Sequence, residues 1–95
     1  MEKEQVVAII NGWISYAHKI KSDIVPGLYL LIDFTEGGFS DKYYRCYSDK
    51  VKETLAKIDK SKGNNKEVCE YIENIVNKYV GEYKEGDGQG ELFKD

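Results

Sequence analysis

Residues 27–48 read GLYLLIDFTEGGFSDKYYRCYS, and the expected fold class depends on the structure of these residues. Its first part, GLYLLIDFT, places large apolar side chains at every second position from Leu28 to Phe34. Its last part, KYYRCYS at 42–48, is rich in aromatic residues, which strands favour. Between them, EGGFSD offers two glycines that can adopt positive φ angles. The pattern therefore predicts two strands that pair as an antiparallel β-hairpin.

Alternation divides the second predicted strand into two faces. One face carries Tyr43, Arg45 and Tyr47, whereas the other carries Lys42, Tyr44 and Cys46. Because the first set holds three large groups, we expect Tyr43 and Tyr47 to be the more buried pair. Asp33 lies inside the otherwise apolar first strand, and Arg45 on the facing strand is its natural ion-pair partner.

Helices are predicted on both sides of the hairpin. From Glu2 to Lys21, apolar residues recur at spacings of three and four, which is typical of an amphipathic helix. Pro26 is expected to end that region. A second helix is predicted over residues 49–60, capped by Ser48 or Asp49, and a third begins at Asn64 with Glu67 three positions on.

These elements together predict a single small α+β domain in the order helix, β-hairpin, helix, helix, with the hairpin packed on the helices. The domain is expected to span residues 1–85. Residues 86–95 form an acidic, glycine-rich segment, which we expect to be flexible. An isolated hairpin is marginal in water, so the candidates for a further strand are the GELF residues at 90–93 and a second copy that joins at the exposed edge to form a homodimer.

Composition narrows the class of protein. The chain has 95 residues, 41% of them hydrophobic, which suffices for a modest core. Its two cysteines match no metal-ligand or disulfide spacing. The N-terminal residues do not resemble a signal peptide, and no run approaches the roughly 18 apolar residues of a membrane span. We therefore expect a cytoplasmic protein without a membrane partner.

The formal net charge of −3 is unevenly distributed. Residues 1–80 hold 12 acidic and 12 basic side chains, so the imbalance lies in the last fifteen residues. Residues 50–66 carry six lysines against Glu53 and Asp59. This basic run is a weak candidate for phosphate binding and more typical of a solvated helix face.

No set of residues predicts catalysis, a metal site or a cofactor. His18 could in principle activate Cys46 or Cys69, but no third group that would orient the histidine is evident. Four carboxylates between residues 33 and 49 do not match a calcium-loop spacing. We therefore predict no cofactor, no metal and no enzymatic activity.

Tyrosine is the compositional anomaly, with eight in the chain, and several adjoin the only arginine. Tyrosine and arginine are enriched at binding hot spots. The acidic side chains of the hairpin would repel phosphate, so nucleic acid is an unlikely partner. The predicted partner-binding residues are Glu36, Phe39, Asp41, Tyr43, Tyr44, Arg45 and Tyr47.

The function that remains is a small, non-catalytic protein-binding module. Its most concrete version is a stoichiometric inhibitor or an immunity or antitoxin-type protein that blocks a basic enzyme. The alternative is a self-associating structural or regulatory protein. A small hydrolase and a nucleic-acid binder are less favoured.

Overall fold

The computed structural model describes residues 1–87, and it describes side chains through Tyr79. These residues form four α-helices: α1 (Lys3–Lys19), α2 (Val25–Glu36), α3 (Asp41–Ala56) and α4 (Asn65–Asp87). The described part of the chain contains no strand. The α+β prediction is therefore wrong, and the strand edge at which a second copy was expected to join does not exist in residues 1–87.

Residues 27–35, the first predicted strand, lie in helix α2. The prediction failed because apolar side chains occur on nearly all faces of this helix. Alternation in such a run does not distinguish a buried strand from a buried helix. Pro26 lies in the first turn of α2, where its missing N–H leaves no hydrogen bond unmade. Its role is thus to begin a helix rather than only to end the preceding region. Thr35 satisfies its buried hydroxyl by donating to the Leu31 carbonyl at 2.7 Å.

The second predicted strand and most of the second predicted helix, through Ala56, are parts of α3, whereas residues 57–60 lie after its end. Ser40 caps this helix, and its Oγ accepts a hydrogen bond from the backbone N–H of Tyr43. Ser48 and Asp49, expected to begin a helix, lie inside it. Gly37 and Gly38 do reverse the chain with φ angles of 78° and 89°, but they join two helices instead of two strands.

The helices at the two ends of the chain agree with the sequence pattern. Helix α1 lies within the predicted range, and Glu2 and Gln5 form a reciprocal capping box at its start. Helix α4 begins at Asn65, directly after the expected capping residue Asn64. Gly86 and Asp87 belong to α4, whereas the rest of the predicted flexible segment, 88–95, lies outside the described residues.

Helix α2 is the centre of the packing because it contacts each of the other three helices. Helix α3 also packs against α4, and α1 touches α4, whereas α1 and α3 do not pack against each other. The core is continuous across all four helices. Its largest fully buried side chains include Ile10 of α1, Phe34 of α2, Leu55 of α3 and Ile72 of α4.

Candidate protein-binding surface

Three aromatic rings form a continuous row at the start of α3. Phe39 precedes the cap of the helix, and Tyr43 and Tyr47 follow at intervals of four residues, which places all three on one face. The ring centroids of Phe39 and Tyr43 are 4.2 Å apart with planes 15° from parallel. Those of Tyr43 and Tyr47 are 4.7 Å apart. We call these three residues the aromatic ridge.

Both ends of the aromatic ridge face solvent. Phe39 is 42% exposed and Tyr47 is 43% exposed, whereas Tyr43 between them is half-buried. Large side chains with this exposure add little to the core, yet they are fixed in place by one another. The ridge is therefore a rigid, amphipathic surface of the kind enriched at protein interfaces.

Buried rings support the ridge from below. The ring of Tyr44 is 3% exposed and meets Phe34 edge to face at 4.9 Å. On its other side, Tyr44 stacks on Tyr79 of α4 at 4.4 Å, with planes only 8° from parallel. These contacts join α2, α3 and α4 beneath the ridge, so its position depends on the core rather than on a mobile loop.

A hydrogen bond ties the middle of the ridge to α2. The Tyr43 hydroxyl donates to Asp33 Oδ2 at 3.0 Å. Burial of the ring, this hydrogen bond and the charge of Asp33 raise the pKa of Tyr43 to about 12. Burial also raises the pKa of Tyr44. Tyr43, at the centre of the aromatic ridge, therefore keeps its hydroxyl proton well into the alkaline range.

The raised pKa predicts how stability responds to alkaline pH. The folded state holds the Tyr43 proton more tightly than the unfolded chain, whose tyrosines ionise near pH 10. This stabilisation is complete below pH 10 and is lost as the pH rises from 10 to about 12. An NMR titration should place the ionisation midpoint of Tyr43 at about 12, above the ordinary tyrosine value of 10.0. In Asp33→Asn, the Tyr43 midpoint should move toward 10, and an unchanged midpoint would show that the carboxylate has no part in the shift.

The stacking of the ridge also argues against one class of ligand. Bases of single-stranded nucleic acid and sugars bind to the open face of an aromatic ring. In the ridge, one face of Phe39 and one face of Tyr43 are covered by their mutual stacking, so no base can enter between these two rings. Residues 33–43 carry three carboxylates against one lysine, which is unfavourable for phosphate. That nucleic acid is an unlikely partner therefore stays a prediction.

The structure brings together only some of the predicted partner-binding residues. Phe39, Tyr43 and Tyr47 form the ridge, and the exposed carboxylates of Glu36 and Asp41 lie close to Phe39 in the chain. Tyr44 is buried in the core. Arg45 is half-buried and two residues from both Tyr43 and Tyr47, so it lies on a different face of the helix.

The expected division of faces is therefore wrong. Tyr43 and Tyr47 were predicted to be the buried pair, but Tyr44 is the buried ring and Tyr47 is exposed. The cause is the period: a helix places residues four apart on one side, whereas a strand places residues two apart there. The carboxylate of Asp33 accepts a hydrogen bond from the hydroxyl of Tyr43.

The nucleophile and metal hypotheses gain no support from the placement of their residues. His18 is exposed and contacts the ring of Tyr29, on a helix that does not pack against the α3 helix of Cys46. Cys69 is fully buried, and burial raises the pKa of its thiol. Within the described residues, no three histidine, cysteine or carboxylate side chains are grouped as metal ligands would be.

Sequence reasoning missed the role of Asp33 and the continuity of the ridge. The signal was present, because Phe39, Tyr43 and Tyr47 recur every four residues, and Tyr44, Ser48, Val51 and Leu55 recur at helical spacings of four, three and four. This second series is buried through Leu55 and crosses the predicted boundary at residue 48. A helical period that continues across a predicted boundary between two elements indicates that both belong to one helix.

None of the four helices, within the described residues, is long and apolar enough to cross a lipid bilayer. No protein-family model, curated protein or solved structure is significantly similar to this chain.

Proposed function

We propose that this chain is a small, non-catalytic protein-binding module that engages its partner through the aromatic ridge. The observation that carries the proposal is the row of stacked rings whose two end members are more than 40% exposed. Rigid aromatic side chains contribute a large contact area at a small cost in conformational entropy.

The charges beside the ridge suggest the chemistry of the partner. The Asp33 carboxylate accepts a hydrogen bond from the hydroxyl of Tyr43, the central residue of the ridge. The carboxylates of Glu36 and Asp41 are exposed and lie close to Phe39 in the chain. A partner that packs apolar side chains against the exposed parts of Phe39 and Tyr47 and presents basic groups around them would match this surface. Blocking of a basic enzyme, as an inhibitor or immunity-type protein would do, is one version of the proposal.

Site-specific photo-crosslinking in the cells that express the chain tests the proposal. A photoreactive phenylalanine analogue replaces Phe39 or Tyr47, and the matched control carries it at Tyr29, which is 50% exposed on α2. We expect one discrete protein adduct from positions 39 and 47 and none from position 29. Equal labelling at all three positions, or no adduct at the ridge, would contradict the proposal.

Alanine variants then measure the contribution of the ridge. With the captured partner, Phe39→Ala and Tyr47→Ala should each weaken binding by about 2 kcal/mol or more, as truncation of a hot spot does. Tyr29→Ala should have little effect. An adduct of twice the mass of the chain would instead support the alternative of self-association.

A further inference from the structure

A groove at the other end of the α2–α3 pair has the dimensions of a small-molecule site. It has a volume of 470 Å³ and lies between the end of α1, the start of α2 and the segment that links α3 to α4. Binding pockets for small molecules generally measure about 300–1,000 Å³. The aromatic ridge takes no part in this groove, whose wall ends at Leu28 on α2 and resumes at Lys57 after α3.

The floor and one wall of the groove are apolar. Its apolar lining includes Trp13 and Ala17 of α1, Leu28 of α2, and Ile24 and Ile58. Two further lining residues lie at the end of α1 and directly after it, and both are exposed to solvent. Tyr16 is 64% exposed and Ile20 is 54% exposed. No other large apolar side chain in the described residues is more exposed than these two.

The opposite rim of the groove is basic. Lys57 and Lys62 line it together with a single carboxylate, that of Asp59. Asp59 Oδ1 already accepts hydrogen bonds from the Ser61 backbone N–H at 3.0 Å and from the Ser61 hydroxyl at 2.6 Å. The rim thus has two ammonium groups and one carboxylate, so its net charge is positive. This charge is complementary to a ligand with one negative charge.

We propose that this groove binds an amphipathic carboxylate of the fatty-acid class, with its apolar chain between α1 and α2 and its carboxylate between Lys57 and Lys62. The apolar floor accounts for the chain, and the basic rim accounts for the single negative charge. An amphipathic helix, about 10 Å across, would place only a few side chains in a groove of this size. The ligand would also cover the exposed side chains of Tyr16 and Ile20.

The only tryptophan of the chain reports directly on occupancy, because Trp13 lines the groove. The probes are decanoate, decanol as the uncharged equivalent and acetate as the head group alone, each used below its aggregation concentration. We expect a saturable change in Trp13 emission with decanoate. Decanol should bind about tenfold more weakly, and acetate should not bind.

Variants separate the two parts of the site. The double variant Lys57→Gln/Lys62→Gln should weaken decanoate binding about tenfold and leave decanol binding unchanged. The matched control Lys52→Gln/Lys66→Gln removes two exposed lysines that do not line the groove and should bind as the natural chain does. Ile20→Ser, at an exposed position, should weaken binding of both ligands.

Three results would overturn the proposal. One is the absence of a saturable response to decanoate in both Trp13 emission and the NMR shifts of Ile24 and Ile58. Another is equal affinity for decanoate and decanol, unaffected by Lys57→Gln/Lys62→Gln, because the rim would then have no role. The third is a Trp13 emission that changes with protein concentration alone, which would assign the groove to a second copy of the chain.

Discussion

Tyr44→Ala should lower the free energy of unfolding by about 3–5 kcal/mol, the cost of truncating a buried aromatic side chain to alanine. Tyr44 is 3% exposed and packs between Phe34 and Tyr79, so its removal leaves a cavity where three helices meet. A small domain has only about 5–15 kcal/mol of stability in total. The variant should therefore be the most damaging of the single tyrosine replacements on α3, as measured by chemical denaturation.

Tyr47→Ala is the matched control because it removes the same side chain three residues along the helix. Because Tyr47 is 43% exposed, Tyr47→Ala should lower the free energy of unfolding by about 1 kcal/mol or less. This order of effects follows from the helical period of α3. A larger loss of stability in Tyr47→Ala than in Tyr44→Ala would contradict the placement of Tyr44 in the core and of Tyr47 on the ridge.

Gly27→Ala should destabilise the protein by about 1–3 kcal/mol, although alanine is the better helix former. Gly27 is buried where α2 crosses α3, and an added Cβ would overlap Thr54 Oγ1 and lie 3.0 Å from Thr54 Cγ2. The Thr54 hydroxyl is held by its hydrogen bond to the Lys50 carbonyl at 2.9 Å, so it does not move aside freely. Packing should therefore outweigh helix propensity at this position.

Two comparisons isolate the contact at Gly27. Gly12→Ala places a methyl group in open space on α1 and should stabilise the protein by about 0.5–1 kcal/mol. Thr54→Ala should restore part of the stability lost in Gly27→Ala when the two are combined, since it removes the overlapping atoms. If Gly27→Ala is as favourable as Gly12→Ala, then α2 and α3 do not approach as closely as the structure shows.

The sequence predicted the end helices because their apolar stripes are narrow enough to reveal a period. In α1, Val6, Ile10 and Ala17 lie on the predicted stripe and are all buried. Helix α2 contacts three neighbours, so apolar residues surround it and its period is obscured. Local pattern alone could not identify the central helix, because its composition is set by tertiary packing.

Part of the candidate surface was predictable and part was not. The concentration of rings near Phe39 and Tyr43 is visible in the sequence, and it does contain the exposed ridge. Which rings share a face depended on the assumed period, so Tyr44 and Arg45 were grouped with the wrong neighbours. The groove at Trp13 was not predictable, since its residues come from three separated segments and no spacing connects them.

The claim on which the ridge depends is that residues 41–56 form one helix, and NMR NOE spectroscopy tests it most directly. We predict sequential amide contacts throughout α3, together with ring contacts between Phe39 and Tyr43 and between Tyr43 and Tyr47. Cross-strand Hα–Hα contacts between residues 28–34 and 42–48, without those ring contacts, would show that these residues form a β-hairpin. That result would contradict both the four-helix fold and the aromatic ridge.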